Sequence, residues 1–262
     1  MPTCYSFVNE RWLDHSKSVA EWLLRDKGLV DVARRVSTIF KNEGLDIDDD
    51  LLRDAVVISG ALHDIGKTLD KYQRGVIEDL IYFHYHDQAG AAVIMYYLIT
   101  DPFFNGRLLL LTSNSPASIA RERFIENNID ALLTIVLNTV LNHHFRHKPI
   151  LDLSWRLVRQ FEITPECLGD INTLLDWLAG VVSNDTSRLL VQRLRNNLNG
   201  KVEINHDIKR RLEFLHSRVN HRIVRDVYYN TLYAFLDIAV ASVFIADAGS
   251  RIGTPTILTN QS

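Results

Sequence analysis

Apolar residues return every three to four positions along almost the whole of this chain, and that period leaves little room for any fold but a helical one. The stripes predict helices near 10–26, 29–42, 50–65, 87–99, 129–144, 165–182, 187–198, 206–220 and 223–248. No stretch shows a convincing strand pattern. Breaks fall at Gly28, Gly44, Gly66, Asp101-Pro102, Ser115-Pro116, Pro149, Thr164-Pro165 and Asn199-Gly200. Thr164-Pro165 has the order of an N-cap followed by proline at the first helical position. With 262 residues, 47% of them hydrophobic, the chain is long enough to bury a large core. No internal repeat, low-complexity tract or long polar linker divides it. The expectation is one compact all-α domain over 1–262. Within it, 149–208 reads as a helical insertion, because it has no histidine until His206.

The stretch "SGALHDIGKT" (59–68) ends like a phosphate-binding loop. That motif needs four residues between its glycines, and Gly60 and Gly66 enclose five. Leu62, His63 and Ile65 are also too bulky for a bare-backbone cradle. Leu52, Ala55, Val56, Ser59, Leu62 and His63 recur at helical spacing, with Asp48 or Asp49 as N-cap and Gly66 as terminator. Nucleotide binding through this loop is set aside.

The formal charge of −3 argues against a protein that coats nucleic acid wholesale, while leaving room for a local basic face. Cys4 and Cys167 have no C-x-x-C spacing, so neither a disulfide framework nor a structural zinc cluster is expected, which suits a reducing cytosol. The opening "MPTCYSFVNERW" lacks the basic-then-apolar order of a signal peptide. The apolar run from Thr231 to Ala248 contains Asp237 and Asp247, and reads as a buried core helix without a membrane role. A cytoplasmic location is expected.

Several histidines and aspartates fall on apolar helix faces. His15 lies on the line Trp12, His15, Val19, Trp22, and His63-Asp64 ends the next strong helix. His86 opens a helix as "HDQAGA", whose Ala89, Gly90 and Ala91 permit close approach of a neighbour; His84 competes with it. His143 and His144 continue the stripe Ile129, Leu132, Leu133, Val136, Leu137, Val140, and His147 stands nearby between Arg146 and Lys148. Asp247 sits on the Val240, Val243, Phe244 side of its helix, where a carboxylate needs a metal ion or Arg251 to offset desolvation.

The ordered series His15, His63-Asp64, His86, His143-His144, Asp247 resembles the HD-domain metal-dependent phosphohydrolase superfamily, across nearly the whole chain. Within it, "YSFVNERWLDHSKSV", "ALHDIGK", "HDQAGA", "NHHF" and "ADAGSR" look like the stand-alone HD nuclease subunit of type I CRISPR interference systems. The resemblance implies an all-α HD-domain bundle and two divalent ions. Asp64 would bridge them, with His15, His63 and Asp247 on one and His86, His143 and His144 on the other. It also implies a cation, Lys67, near the scissile phosphate; the competing reading of Lys67 is a favourable charge near a helix C-terminus. Arg251 is divided in the same way between holding Asp247 and contacting substrate.

Phosphodiester hydrolysis needs an activated water opposite the leaving oxygen and positive charge on the phosphoryl oxygens, which two ions about 3.5–4 Å apart supply. Imidazole-rich coordination favours manganese, nickel or cobalt over magnesium, with iron and zinc as further candidates. Because ligand histidines must be neutral, metal affinity is expected to fall as pH drops toward about 6 and below. The segment 188–225 holds Arg188, Arg193, Arg195, Lys201, Lys209, Arg210, Arg211, Arg218, Arg222 and Arg225 against Glu203, Asp207 and Glu213. It is either a phosphate-tracking face or a solvated one. The leading expectation is a metal-dependent nuclease for single-stranded DNA, with no covalent intermediate. Its implied partners are a separate ATP-dependent helicase and the CRISPR surveillance complex. The alternative is an HD phosphohydrolase for small nucleotides such as a deoxynucleoside triphosphate, a cyclic nucleotide or an alarmone.

Overall fold

The structure, a computed structural model, describes residues 3–7, 9–77, 85–113, 123–144, 159–220 and 227–252. Among these residues eleven α-helices follow one another: α1 (Trp12–Arg25), α2 (Lys27–Asn42), α3 (Asp49–Leu62), α4 (Asp70–Ile77), α5 (His86–Thr100), α6 (Pro102–Thr112), α7 (Asn128–Asn142), α8 (Pro165–Val181), α9 (Asp185–Asn197), α10 (His206–Asn220) and α11 (Val227–Ile252). A 3-10 turn, Ile65–Thr68, joins α3 to α4. The all-α expectation holds, with two small additions.

Those additions are antiparallel strand pairs that periodicity did not reveal. β1 (Tyr5–Phe7) pairs with β2 (Glu10–Arg11), and β3 (Arg159–Glu162) pairs with β4 (Lys201–Ile204), Phe161 lying opposite Val202. Strands of two to four residues are too short to register as an alternation. Two helices were missed as well. Asp101-Pro102 was read as a break, yet Asp101 Oδ1 accepts from the backbone N–H of Phe103 and Phe104 at 2.8 and 3.3 Å, and Pro102 opens α6. Thr164-Pro165 opens α8 as expected, with Thr164 Oγ1 accepting from Cys167 N at 3.3 Å.

α3 is the axis of the bundle. Its buried residues run from Leu51 to Leu62 with Arg53 alone left out, the all-round apolar character of a surrounded helix. α1, α2, α7 and α11 pack around it. Asp48 is its N-cap by position, but its carboxylate accepts instead from the side-chain amides of Asn128 and Asn184. α8 and α9 pack on each other, α8 also against α1 and α9 also against α3 and α5. Buried Asp54 pins their connection, accepting from Ser183 N and Asn184 N at 2.8 Å each. α11 is the one described helix long and apolar enough to cross a membrane by length and composition; in the fold it packs against α1, α2, α3 and α7.

The expectation for the cysteines is overturned. Cys4 and Cys167 form a disulfide that ties the segment before β1 to α8. They lie 163 residues apart, so no local spacing announces the pair. The cytosolic expectation thereby loses one of its supports.

Candidate metal centre

Each side chain of the expected site comes from a helix or its end, and all converge where α1, α3, α5, α7 and α11 meet. His15 projects from the first turn of α1. His63 and Asp64 follow α3, where the chain leaves the helix for the 3-10 turn. His86 is the first residue of α5, His143 and His144 follow α7, and Asp247 lies in the last turns of α11. Gly66 was expected to terminate α3; it serves close packing instead. A Cβ there would fall 2.0 Å from the His86 carbonyl oxygen and 2.6 Å from Gly90 N. The small residues of "HDQAGA" therefore receive the 3-10 turn itself, which brings His86 against Asp64.

Asp64 is fully buried and its two oxygens face opposite ways. Oδ1 lies 3.2 Å from His86 Nε2 and 3.8 Å from His143 Nε2. Oδ2 lies 3.4 Å from His63 Nε2 and 3.6 Å from His15 Nε2. Asp247 Oδ1 completes the second side at 3.2 Å from His15 Nε2 and 3.8 Å from His63 Nε2. On the first side His144 Nε2 stands 2.8 Å from His86 Nε2. Two groups able to hold a metal result, Asp64–His86–His143–His144 and His15–His63–Asp64, and they share Asp64. His84 and His147 lie outside the described residues.

The hydrogen bonds behind the rings show that the set fits a cation. His63 Nδ1 is 2.7 Å from Gly60 O, and His143 Nδ1 is 2.7 Å from Val140 O. A carbonyl only accepts, so each Nδ1 carries the proton, and a neutral ring then presents an Nε2 lone pair to the cluster. His15 Nδ1 is likewise 3.1 Å from Glu10 Oε1. Lone pairs thus meet one another, as at the 3.4 Å between the Nε2 atoms of His15 and His63, and meet two carboxylates. His143 Nε2 and Asp64 Oδ1 are buried without a hydrogen bond. Such a convergence of acceptors calls for positive charge, from protons or from a metal ion.

Without a metal, protons supply it. Burial pushes the His63 imidazole down, but Asp64 and Asp247 outweigh that and raise it to about 9. His15 is raised too, burial being outweighed by Asp247 and Glu10. Burial holds the Asp64 carboxyl up, yet His63 and Lys67 bring it well below the usual carboxylate range. On the other side, burial and the neighbouring His143 and His86 push His144 down to about 3. The His144 ring thus stays neutral and ready to ligate.

Three supporting contacts were not foreseen. Glu10 orients His15, the Trp12 indole N–H donates to Asp64 O at 3.0 Å, and Ser250 Oγ sits 3.4 Å from His15 Nδ1. Glu10 precedes its helix and shares no stripe with His15, so only its place inside "VNERWLDH" hinted at it. Lys67 is buried with Nζ 2.5 Å from Asp64 Oδ2, and Arg251 Nη2 is 3.0 Å from Asp247 Oδ1. Both cations hold the cluster's carboxylates.

The basic stretch is largely engaged locally. Arg188 pairs with Asp185, Arg193 with Asp101, Arg195 with Asp176, Arg210 and Arg211 with Asp207, and Lys209 with Glu213. Arg218 lies over the Phe124 and Phe214 rings. Arg222 and Arg225 lie outside the described residues.

Fold and site together define an all-α protein with a buried histidine–aspartate centre suited to a divalent metal. Among solved structures the chain is similar to the CRISPR-associated Cas3 HD domain protein MJ0384 from Methanocaldococcus jannaschii, at a TM-score of 0.43 and 18% sequence identity, over 94% of this chain and 100% of that one. No family model and no curated protein matches. The reading of the site rests on its own geometry.

Proposed function

We propose that this protein is a metal-dependent nuclease that hydrolyses phosphodiester bonds of single-stranded DNA, acting in CRISPR interference beside a separate helicase and the surveillance complex. The observation that carries the hydrolase reading is Asp64, whose two oxygens are divided between two histidine groups. His15, His63 and Asp247 would hold one divalent ion and His86, His143 and His144 a second, with Asp64 between them. Ions bound there would polarise a phosphoryl oxygen and acidify a water molecule. The chain's own residues do the positioning. Gly60 O, Val140 O and Glu10 fix the rings of His63, His143 and His15, the Trp12 indole fixes the Asp64 backbone, and Lys67 and Arg251 neutralise the carboxylates. Lys67 would also serve as the cation near the scissile phosphate. The single-domain reading, with 149–208 as an insertion, belongs to the same proposal, as does the preference for manganese, nickel or cobalt.

The small-nucleotide reading is favoured by one observation, the pairing of much of the basic stretch with carboxylates, which lowers the net charge of a strand-tracking face. Purified protein incubated with labelled single-stranded DNA, duplex DNA, RNA and nucleotides across manganese, cobalt, nickel, iron, zinc and magnesium separates the two. Single-stranded DNA should be cut, and Asp64→Ala should lower the rate by at least about a thousandfold, the order expected when electrostatic stabilisation of the reaction is lost. Hydrolysis of mononucleotides alone would sink the nuclease reading. Equal cleavage by Asp64→Ala would sink the site.

A further inference from the structure

A groove of about 540 Å³ lies between the C-terminal half of α1, the start of α2 and the last turns of α11, with Ser18, Trp22, Arg25, Lys27, Gly249 and Ser250 among its lining. Its volume falls within the range of about 300–1,000 Å³ usual for small-molecule sites. Three features connect it to the metal centre. Trp22 follows His15 by seven residues, which returns to nearly the same helix face about 10 Å further along. Ser250 lines the groove and its Oγ stands 3.4 Å from His15 Nδ1, behind the ring whose Nε2 faces the cluster. Asp247 and Arg251 lie on the same terminal turns of α11.

The groove sets one aromatic ring, Trp22, among two cations and two carboxylates, Arg25, Lys27, Glu21 and Asp26. Trp22 is 38% exposed, a large apolar surface left facing solvent beside a polar centre. The charges around it are of both signs: Arg25 Nη2 pairs with Glu21 at 3.0 Å, and Asp26 Oδ1 accepts from Gly28 N at 2.8 Å. No phosphate is selected by such a balance. A flat, uncharged, hydrogen-bonding ring is, because the indole offers a stacking face while serine hydroxyls and mixed charges rim it. Gly249 lies beside the indole, where even a Cβ would stand only in ordinary contact, 3.6 Å from Nε1.

We infer that the groove over Trp22 is a stacking subsite for a nucleobase of the single strand whose neighbouring phosphate reaches the histidine–aspartate cluster, an inference that rests on the nuclease reading. It gives the enzyme a grip on a strand without a continuous basic face, and Trp22 becomes a substrate-binding residue outside the metal-holding set.

The test is steady-state cleavage of a short single strand by the full chain, compared among the unsubstituted protein, Trp22→Ala and Trp22→Phe. Loss of one base–aromatic stack should lower kcat/KM by about 5- to 150-fold in Trp22→Ala, carried mainly by KM, while Trp22→Phe stays within about fivefold. Scanning one abasic position along the strand should reproduce the loss in the unsubstituted protein at a single place beside the cut, with no further loss in Trp22→Ala. A base-free diester, a short strand of tetrahydrofuran abasic residues with no aromatic ring to stack, should be hydrolysed equally by all three proteins. Unchanged kcat/KM in Trp22→Ala, or an equal loss on the base-free diester, overturns the subsite and leaves the nuclease reading standing. If the unsubstituted protein cuts no strand, the nuclease reading falls and the subsite with it.

Discussion

His63 is gripped from behind by the Gly60 carbonyl and faced by two carboxylates, an arrangement that makes proton and metal rivals for the same Nε2. Because the metal-free imidazole is raised to about 9, the proton is already bound at neutral pH and a metal must displace it. The sign follows directly: affinity is highest above about 9 and declines as pH falls through that value. Sequence reasoning placed the decline near an ordinary histidine, at about 6; the buried carboxylates move it upward. Isothermal titration with manganese from pH 6 to 10 should show this slope. Glu10→Gln, which keeps the shape but weakens the acceptor behind His15, should lower affinity by about 10- to 100-fold at fixed pH. A pH-independent affinity would refute the competition.

At the scale of elements, the centre depends on how closely the 3-10 turn lies against α5. The atom facing Gly66 is the His86 carbonyl oxygen, a backbone atom that cannot swing aside. Gly66→Ala should therefore push α5 away, cost about 1–3 kcal/mol as overpacking does, and displace His86 from Asp64. Urea unfolding measures the first effect and metal titration the second; wild-type values for both would show that the turn has slack. This contact also marks the limit of what the sequence disclosed. His15, His143 and Asp247 were legible because each falls on an apolar stripe, where a polar group needs a reason to be buried; His63-Asp64 at a helix end and His86 at a helix start were legible only through their order in the series. Gly66 was legible only as a glycine, since a close approach looks the same in one dimension as a helix stop. β1 to β4 were too short to show a period, and α6 was hidden by reading Asp101-Pro102 as an end when it is a beginning.

Across the whole molecule, the segment before α1 is fastened at three points, one of them the Arg11–Asp170 ion pair to α8 at 2.6 Å. The Cys4–Cys167 disulfide holds it to α8. Gln73 holds β1 as well, accepting from Tyr5 N at 3.0 Å and donating to Tyr5 O at 2.9 Å and to Lys67 O at 2.7 Å. The same amide thus joins the N-terminal strand to the turn that carries Lys67. Replacing both cysteines by serine frees a long loop in the unfolded chain, and should lower stability by about 2–4 kcal/mol in chemical denaturation. An unchanged unfolding midpoint would show that the non-covalent contacts of Gln73 and Arg11 hold the segment without the disulfide.

The division of the cluster also has an order in time. As the chain is made, Asp64, His86, His143 and His144 are all present once α7 is complete, so one half of the centre has its full set early. His15 must wait more than two hundred residues for Asp247, which arrives near the end of α11. A chain stopped before α11 therefore lacks Asp247, and the His15 side of the cluster is completed only by the last of the described helices.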